Sequence, residues 1–212
     1  MNKEEIMTRL LDCGVFAVIR GETYEKGYAL AKACAKGGIV GLEVTYTNPS
    51  ATAIIEALSK EEGNWIVGAG TVLDPVTARL AILAGAKFIV SPCFDEEVAK
   101  LCNLYRIPYF PGVFTPNEIV IALKAGADIC KIFPGSTATP SYIKAIHGPL
   151  PQVPCMPSGG VDLNNVSEWI KAGAVAVGAG SNLSAPAKNG DYEKVAELAK
   201  EYVQKVKEAR KN

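Results

Sequence analysis

The stretch Ala127-Asp128-Ile129-Cys130-Lys131-Ile132-Phe133-Pro134 is a short apolar run, with Gly126 before it and Thr139-Pro140 after it. It reads as a buried strand. A strand alternates its faces, so Ile129, Lys131 and Phe133 point one way and Cys130 and Ile132 the other. One amine is thereby set among apolar side chains. Burial disfavours the charged form of an amine, and a neutral amine is a nucleophile that condenses with a ketone. The structural alternative is a strand-end lysine whose head reaches solvent.

The same unit recurs on both sides of this stretch: an apolar run, a turn, then an amphipathic segment. The runs are Val15–Arg20, Ile39–Thr45, Trp65–Thr71, Lys87–Ser91, Pro108–Pro111, Asp128–Phe133, Val153–Ser158 and Ala174–Gly180. Segments between them, such as Tyr24–Lys36 and Pro75–Leu83, carry helical periodicity. Asn48-Pro49, Asp74-Pro75, Thr115-Pro116 and Thr139-Pro140 place a capping side chain before a proline, as helix starts do. Thr115-Pro116-Asn117-Glu118 has capping-box spacing. Gly37-Gly38, Gly85, Gly126 and Gly173 fall where a helix stops and favour a left-handed cap. Eight alternating units predict an α/β fold, a (β/α)8 TIM barrel. Met1–Cys13 is an extra N-terminal helix and Asp191–Arg210 the last helix. An open doubly wound sheet is the competing architecture, but Gly68-Ala69-Gly70 and Gly178-Ala179-Gly180 both lack its third glycine. With no linker or low-complexity stretch, residues 1–212 read as a single domain.

Composition narrows the function. The 212 residues are 49% hydrophobic and 21% charged, with 22 basic against 22 acidic side chains. A zero formal charge argues against nucleic acid or a membrane surface as a bulk electrostatic partner. No run approaches the ~20 apolar residues of a membrane span. The N-terminus has no signal-peptide pattern, and the six cysteines contain no Cys-x-x-Cys, so a reducing, cytoplasmic setting is expected. His147 is the sole histidine, which argues against a multi-histidine metal site, and no metal or other cofactor is expected. It reads as a surface or helix-end residue.

In a barrel, chemistry collects at the C-terminal ends of the strands. The polar residues there are Arg20, Glu43, Thr45, Thr71, Ser91, Lys131, Ser158 and Ser181. Glu43 and Thr45 share a strand face, and an inward Glu43 would stand near Lys131. The bland reading is a paired structural carboxylate. The functional one is a general acid/base that moves protons through carbinolamine, imine and enamine. The glycine turns Pro157-Ser158-Gly159-Gly160-Val161-Asp162 and Gly178-Ala179-Gly180-Ser181 free backbone N–H groups for an anion, in loops that often bind phosphate in barrels. Arg20 ends the first strand beside them and can fork onto a carboxylate or phosphate.

Taken together these residues resemble the 2-keto-3-deoxy-6-phosphogluconate (KDPG) and 4-hydroxy-2-oxoglutarate (KHG) aldolases. The matching segments are Gly41-Leu42-Glu43-Val44-Thr45, Gly68-Ala69-Gly70-Thr71-Val72, Ser91-Pro92, Pro111-Gly112-Val113-Phe114-Thr115-Pro116, Lys131-Ile132-Phe133-Pro134, Pro157-Ser158-Gly159-Gly160-Val161 and Gly178-Ala179-Gly180-Ser181. The resemblance implies a class I aldolase without metal, a lyase that cleaves KDPG to pyruvate and glyceraldehyde 3-phosphate, or KHG to pyruvate and glyoxylate. It assigns the covalent imine to Lys131 and acid/base work to Glu43. Thr71 matches a contact to the pyruvyl carboxylate or substrate hydroxyl, and Phe133 an aromatic packed by the imine. Arg20, Thr45, Pro92 and Ser158 join them as substrate-binding positions, and Gly159, Gly160, Gly180 and Ser181 as the phosphate cradle. The resemblance also implies a homotrimer with part of its outer surface apolar. One departure is Thr47, where arginine is common in the family. Two other readings compete: a phosphate-binding barrel isomerase or synthase, and a non-catalytic barrel that binds a phosphorylated metabolite.

Overall fold

The computed structural model describes residues 1–211. Helix α1 (Lys3–Cys13) leads into β1 (Val15–Ile19), α2 (Tyr24–Lys36), β2 (Gly41–Thr45) and α3 (Ala51–Lys60). Then follow β3 (Ile66–Gly70), α4 (Pro75–Leu83), β4 (Ile89–Val90), α5 (Glu96–Tyr105), β5 (Tyr109–Phe110) and β6 (Gly112–Val113). The chain continues through α6 (Pro116–Lys124), β7 (Cys130–Ile132), α7 (Pro140–His147), β8 (Cys155–Pro157) and α8 (Val166–Lys171). It ends with β9 (Val177–Ala179), α9 (Ser181–Ser184) and α10 (Tyr192–Ala209). Short 3-10 turns span Gly135–Thr137 and Ala185–Asn189.

All described strand pairs are parallel. They form a curled sheet in two segments, ordered β5-β4-β3-β2-β1-β9 and β6-β7-β8. The last strand lies beside the first, and the order lacks the reversal of an open doubly wound sheet. The expected runs hold their places, but the ladders are shorter than the runs, trimmed at one end or at both. The fifth run is the exception. Pairing extends beyond it to Val113 and is interrupted at Pro111, which has no N–H to give a ladder.

Most helix boundaries follow local chemistry. Asp74 accepts the Thr77 N–H at 2.7 Å, and Thr115 and Glu118 complete the expected capping box. Gly38, Gly85, Gly126 and Gly173 take φ of 97°, 107°, 86° and 108°, the left-handed stops expected of them. Asn48-Pro49 departs from expectation. Its asparagine side chain accepts the Ser50 N–H at 2.8 Å, closing a turn, and α3 begins only at Ala51. Thr139 precedes α7 as expected, but its hydroxyl pairs with Ser141 rather than capping the helix.

Alternation sorts the strand residues into two cores. Cys130 and Ile132 join the cluster between sheet and helices. Phe16, Ile66, Phe88, Val90, Phe110, Ile129, Met156 and Ala176 fill the concave side, where Ile6 and Leu10 of α1 pack against them. Phe16 meets Phe88 and Phe110 edge-on, with centroids 5.4 and 5.6 Å apart. Each of these side chains other than Ala176 contributes ~1.5–3 kcal/mol by leaving water. The layer seals the N-terminal end of the strands and leaves the C-terminal end for polar groups.

Candidate active site

One strand step beyond that layer stand Glu43 and Lys131. They are 1% and 5% exposed, so both residues are buried. Lys131 Nζ lies 3.4 Å from Glu43 Oε1 and 5.1 Å from the centroid of the Phe133 ring. Glu43 Oε2 is buried without a hydrogen-bond partner. An unpaired buried carboxylate oxygen costs free energy, and its presence beside an amine is what a proton-moving site requires. The snorkelling alternative for Lys131 is ruled out by its burial.

Glu43 fits there because Gly70 has no side chain. A Cβ at residue 70 would fall 2.6 Å from Glu43 Cγ and overlap the carboxylate. Gly68-Ala69-Gly70 drew notice in the sequence as an incomplete dinucleotide motif and as part of a segment shared with the family, but the role of Gly70 in making room for Glu43 was missed. The next residue, Thr71, is half-buried with φ of 55°. A β-branched residue in the left-handed region carries ~1–3 kcal/mol of strain, which the surrounding fold must hold.

The glycine turns come together with a third loop. Gly159 and Gly160 take φ of 87° and 74°, aiming successive N–H groups out of the strand direction. Gly135 N donates to Ser158 O at 2.7 Å, and a Cβ on Gly135 would lie 2.6 Å from Gly159 O. Gly135 was also missed. Its signal is position, directly after the Lys131-Ile132-Phe133-Pro134 segment. Buried Ser158 bridges to Gly178 in the neighbouring strand. Arg20 reaches the second turn, its Nη1 3.7 Å from where a Cβ on Gly180 would sit, and Ser181 opens α9 beside it. Arg20 and Ser181 line a cavity of about 640 Å³, while Pro92 and Phe133 line another of about 250 Å³.

Other positions are engaged elsewhere. Thr45 Oγ1 donates to Ile19 O at 3.0 Å and pairs with Thr47 Oγ1 at 2.7 Å, tying β2 to β1. Ser91 follows Val90, whose side chain is on the concave face, so alternation turns Ser91 towards the helices. His147 ends α7 and hydrogen-bonds Val153 O at 2.9 Å, a structural contact. Among the described residues, no group of three or more His, Cys, Asp or Glu is placed to hold a metal ion. No described helix is long and apolar enough to cross a membrane.

The family model described as KDPG and KHG aldolase matches residues 6–198. The chain belongs to the KDPG/KHG aldolase family. The 2-dehydro-3-deoxy-phosphogluconate aldolase of Pseudomonas aeruginosa is 34% identical, over 86% of this chain and 84% of the relative. The KHG/KDPG aldolase of Escherichia coli is 35% identical, over 91% and 92%. A KDPG aldolase crystal structure from Legionella pneumophila, with pyruvate captured at low pH as a covalent carbinolamine, superposes with TM-score 0.83 at 32% identity. That alignment covers 91% of this chain and 95% of the neighbour. The chain is thus a class I aldolase, a lyase acting on KDPG, KHG or both, and the isomerase and non-catalytic readings are not favoured.

Proposed function

We propose that Lys131 is the imine-forming lysine and Glu43 the acid/base of this retro-aldol cleavage. Lys131 Nζ adds to the C2 carbonyl of the 2-keto acid. Glu43 gives a proton to the carbinolamine hydroxyl, which leaves as water. The resulting carboxylate takes the proton of the C4 hydroxyl as the C3–C4 bond breaks. The aldehyde departs, the bond electrons pass into the iminium to give an enamine, and protonation at C3 followed by hydrolysis frees pyruvate and Lys131. The observation that carries this reading is the buried Lys131–Glu43 pair at 3.4 Å with one carboxylate oxygen free.

The remaining roles belong to the same reading. Thr71, Pro92, Phe133 and Ser158 are read as contacts to the pyruvyl end; Thr45, expected among them, is instead read as tying β2 to β1 through its bond to Ile19 O. Gly159, Gly160, Gly180 and Ser181 cradle the phosphate, with Arg20 as its cation. We read the fold as a closed single-domain (β/α)8 barrel with α1 as the extra N-terminal helix. Its support is that only Pro111 separates β5 from β6, and that the Ser158–Gly178 bridge links β8 to β9. A homotrimer is supported by the exposed apolar face on α4, where Val76, Leu80 and Leu83 are 69%, 49% and 66% exposed. Six free thiols suit a cytoplasmic setting.

The test replaces Lys131 by Ala and by Arg. Both variants lose retro-aldol turnover, and Arg keeps the buried charge paired, so its circular dichroism matches wild type. Removing one partner of a buried pair costs ~3–5 kcal/mol, which is why Arg is the fold control. Glu43→Gln slows turnover yet still binds pyruvate. An active Lys131→Ala enzyme would sink the proposal.

A further inference from the structure

A cavity lies outside the Lys131–Glu43 pair, where β1 and β9 end. Its volume is about 640 Å³, within the range of small-molecule sites. Neither Lys131 nor Glu43 lines it; its walls include Arg20, Lys26, Ser181, Ser184, Lys188 and Tyr192. Glu22 also borders it, but that carboxylate is 2.6 Å from Lys26 Nζ, so the two charges cancel locally. Arg20 and Lys188 are left. Among the described residues neither makes an ion pair or a hydrogen bond. They come from distant parts of the chain, Arg20 from the end of β1 and Lys188 from the turn Ala185–Asn189. Two uncompensated cations in one concave site raise the local potential for an anion. The three hydroxyls of Ser181, Ser184 and Tyr192 add hydrogen-bonding groups, and Leu30 and Ala187 supply an apolar wall. That combination suits a phosphate monoester on a short carbon chain.

The cavity is continuous with the proposed cradle, because Ser181 belongs to both and Arg20 stands beside Gly180. We propose that Lys188 is a specificity-determining residue of this aldolase, which with Arg20 holds the phosphate of the substrate's aldehyde-forming end in this cavity. The proposal rests on the Lys131 reading above. 4-Hydroxy-2-oxoglutarate carries no phosphate and ends in a C5 carboxylate, a shorter and less charged terminus, so Lys188 favours the phosphorylated substrate class.

The experiment measures KM and kcat for KDPG and for KHG on wild type, Lys188→Ala and Lys188→Arg. Lys188→Ala raises KM for the phosphorylated substrate about fivefold, with kcat changing less, which corresponds to ~1 kcal/mol. The ratio of kcat/KM between the two substrates falls accordingly, Lys188→Arg restores most of it, and added salt shrinks the difference. Inorganic phosphate competes with the phosphorylated substrate, and Lys188→Ala weakens that inhibition. Equal effects on both substrates, no effect, or phosphate inhibition that is not competitive would overturn the proposal. Pyruvate-dependent labelling of Lys131 by borohydride does not use this cavity. Labelling without a Lys188 effect rejects the Lys188 role alone, whereas absence of labelling rejects the Lys131 reading on which it rests.

Discussion

Glu43 has one carboxylate oxygen facing Lys131 Nζ and one facing no partner, and Gly70 fixes where both lie. Gly70→Ala therefore displaces the carboxylate without touching the lysine. A misplacement of about 1 Å costs roughly a hundredfold in rate. The expected result is a kcat lower by about that factor, with pyruvate still bound, read by steady-state kinetics with Tm measured alongside; unaltered kcat would show that Glu43 tolerates the shift. Lys131 was legible in the sequence because period-two alternation set it with Ile129 and Phe133, and the structure keeps that face. Ser91 shows the limit of the same rule. It stood at a strand end, but parity counted from Phe88 and Val90 turns it outward. Gly70 and Gly135 were not legible, since a glycine's role here is the space it leaves for a neighbour distant in sequence.

At the level of elements, capping chemistry separates real helix starts from look-alikes. Thr115 closes a reciprocal box with Glu118, whose carboxyl is held below its usual range by the Phe114 and Thr115 N–H groups. Ser50 stands at the start of α3 and makes no capping bond. Thr115→Ala should cost ~1 kcal/mol, whereas Ser50→Ala should cost no more than a few tenths. Urea denaturation midpoints check the pair, and equal losses would contradict the capping account. Asn48-Pro49 misled the sequence reading because an Asx turn and an N-cap present the same side chain to a nearby N–H. Only tertiary placement distinguishes them: Asn48 Nδ2 also reaches back to Thr23 O at 3.1 Å.

At the scale of the whole molecule, the repeat of strand and helix was legible from hydrophobic period and glycine punctuation alone. The sealing of the N-terminal end by α1 was not, because Ile6 and Leu10 meet Phe16 and Phe88 only once the sheet curls. The outer surface carries the remaining prediction. Leu73, Val76, Leu80 and Leu83 are exposed on or beside α4, and Leu104 and Tyr105 end the adjoining α5. Apolar side chains gathered on one face mark a contact surface. Leu80→Glu should shift the protein from three chain masses to one in sedimentation equilibrium. A wild-type monomer, or a trimer unaffected by the charge, would contradict the proposed face.

The central claim is that Lys131 forms the covalent link to the keto acid. Borohydride reduction in the presence of pyruvate, followed by peptide mass mapping, tests it directly. The account predicts a reduced pyruvyl adduct on the peptide containing Lys131, absent without pyruvate and absent in Lys131→Arg. An adduct on another lysine, or none while pyruvate is bound, would contradict it.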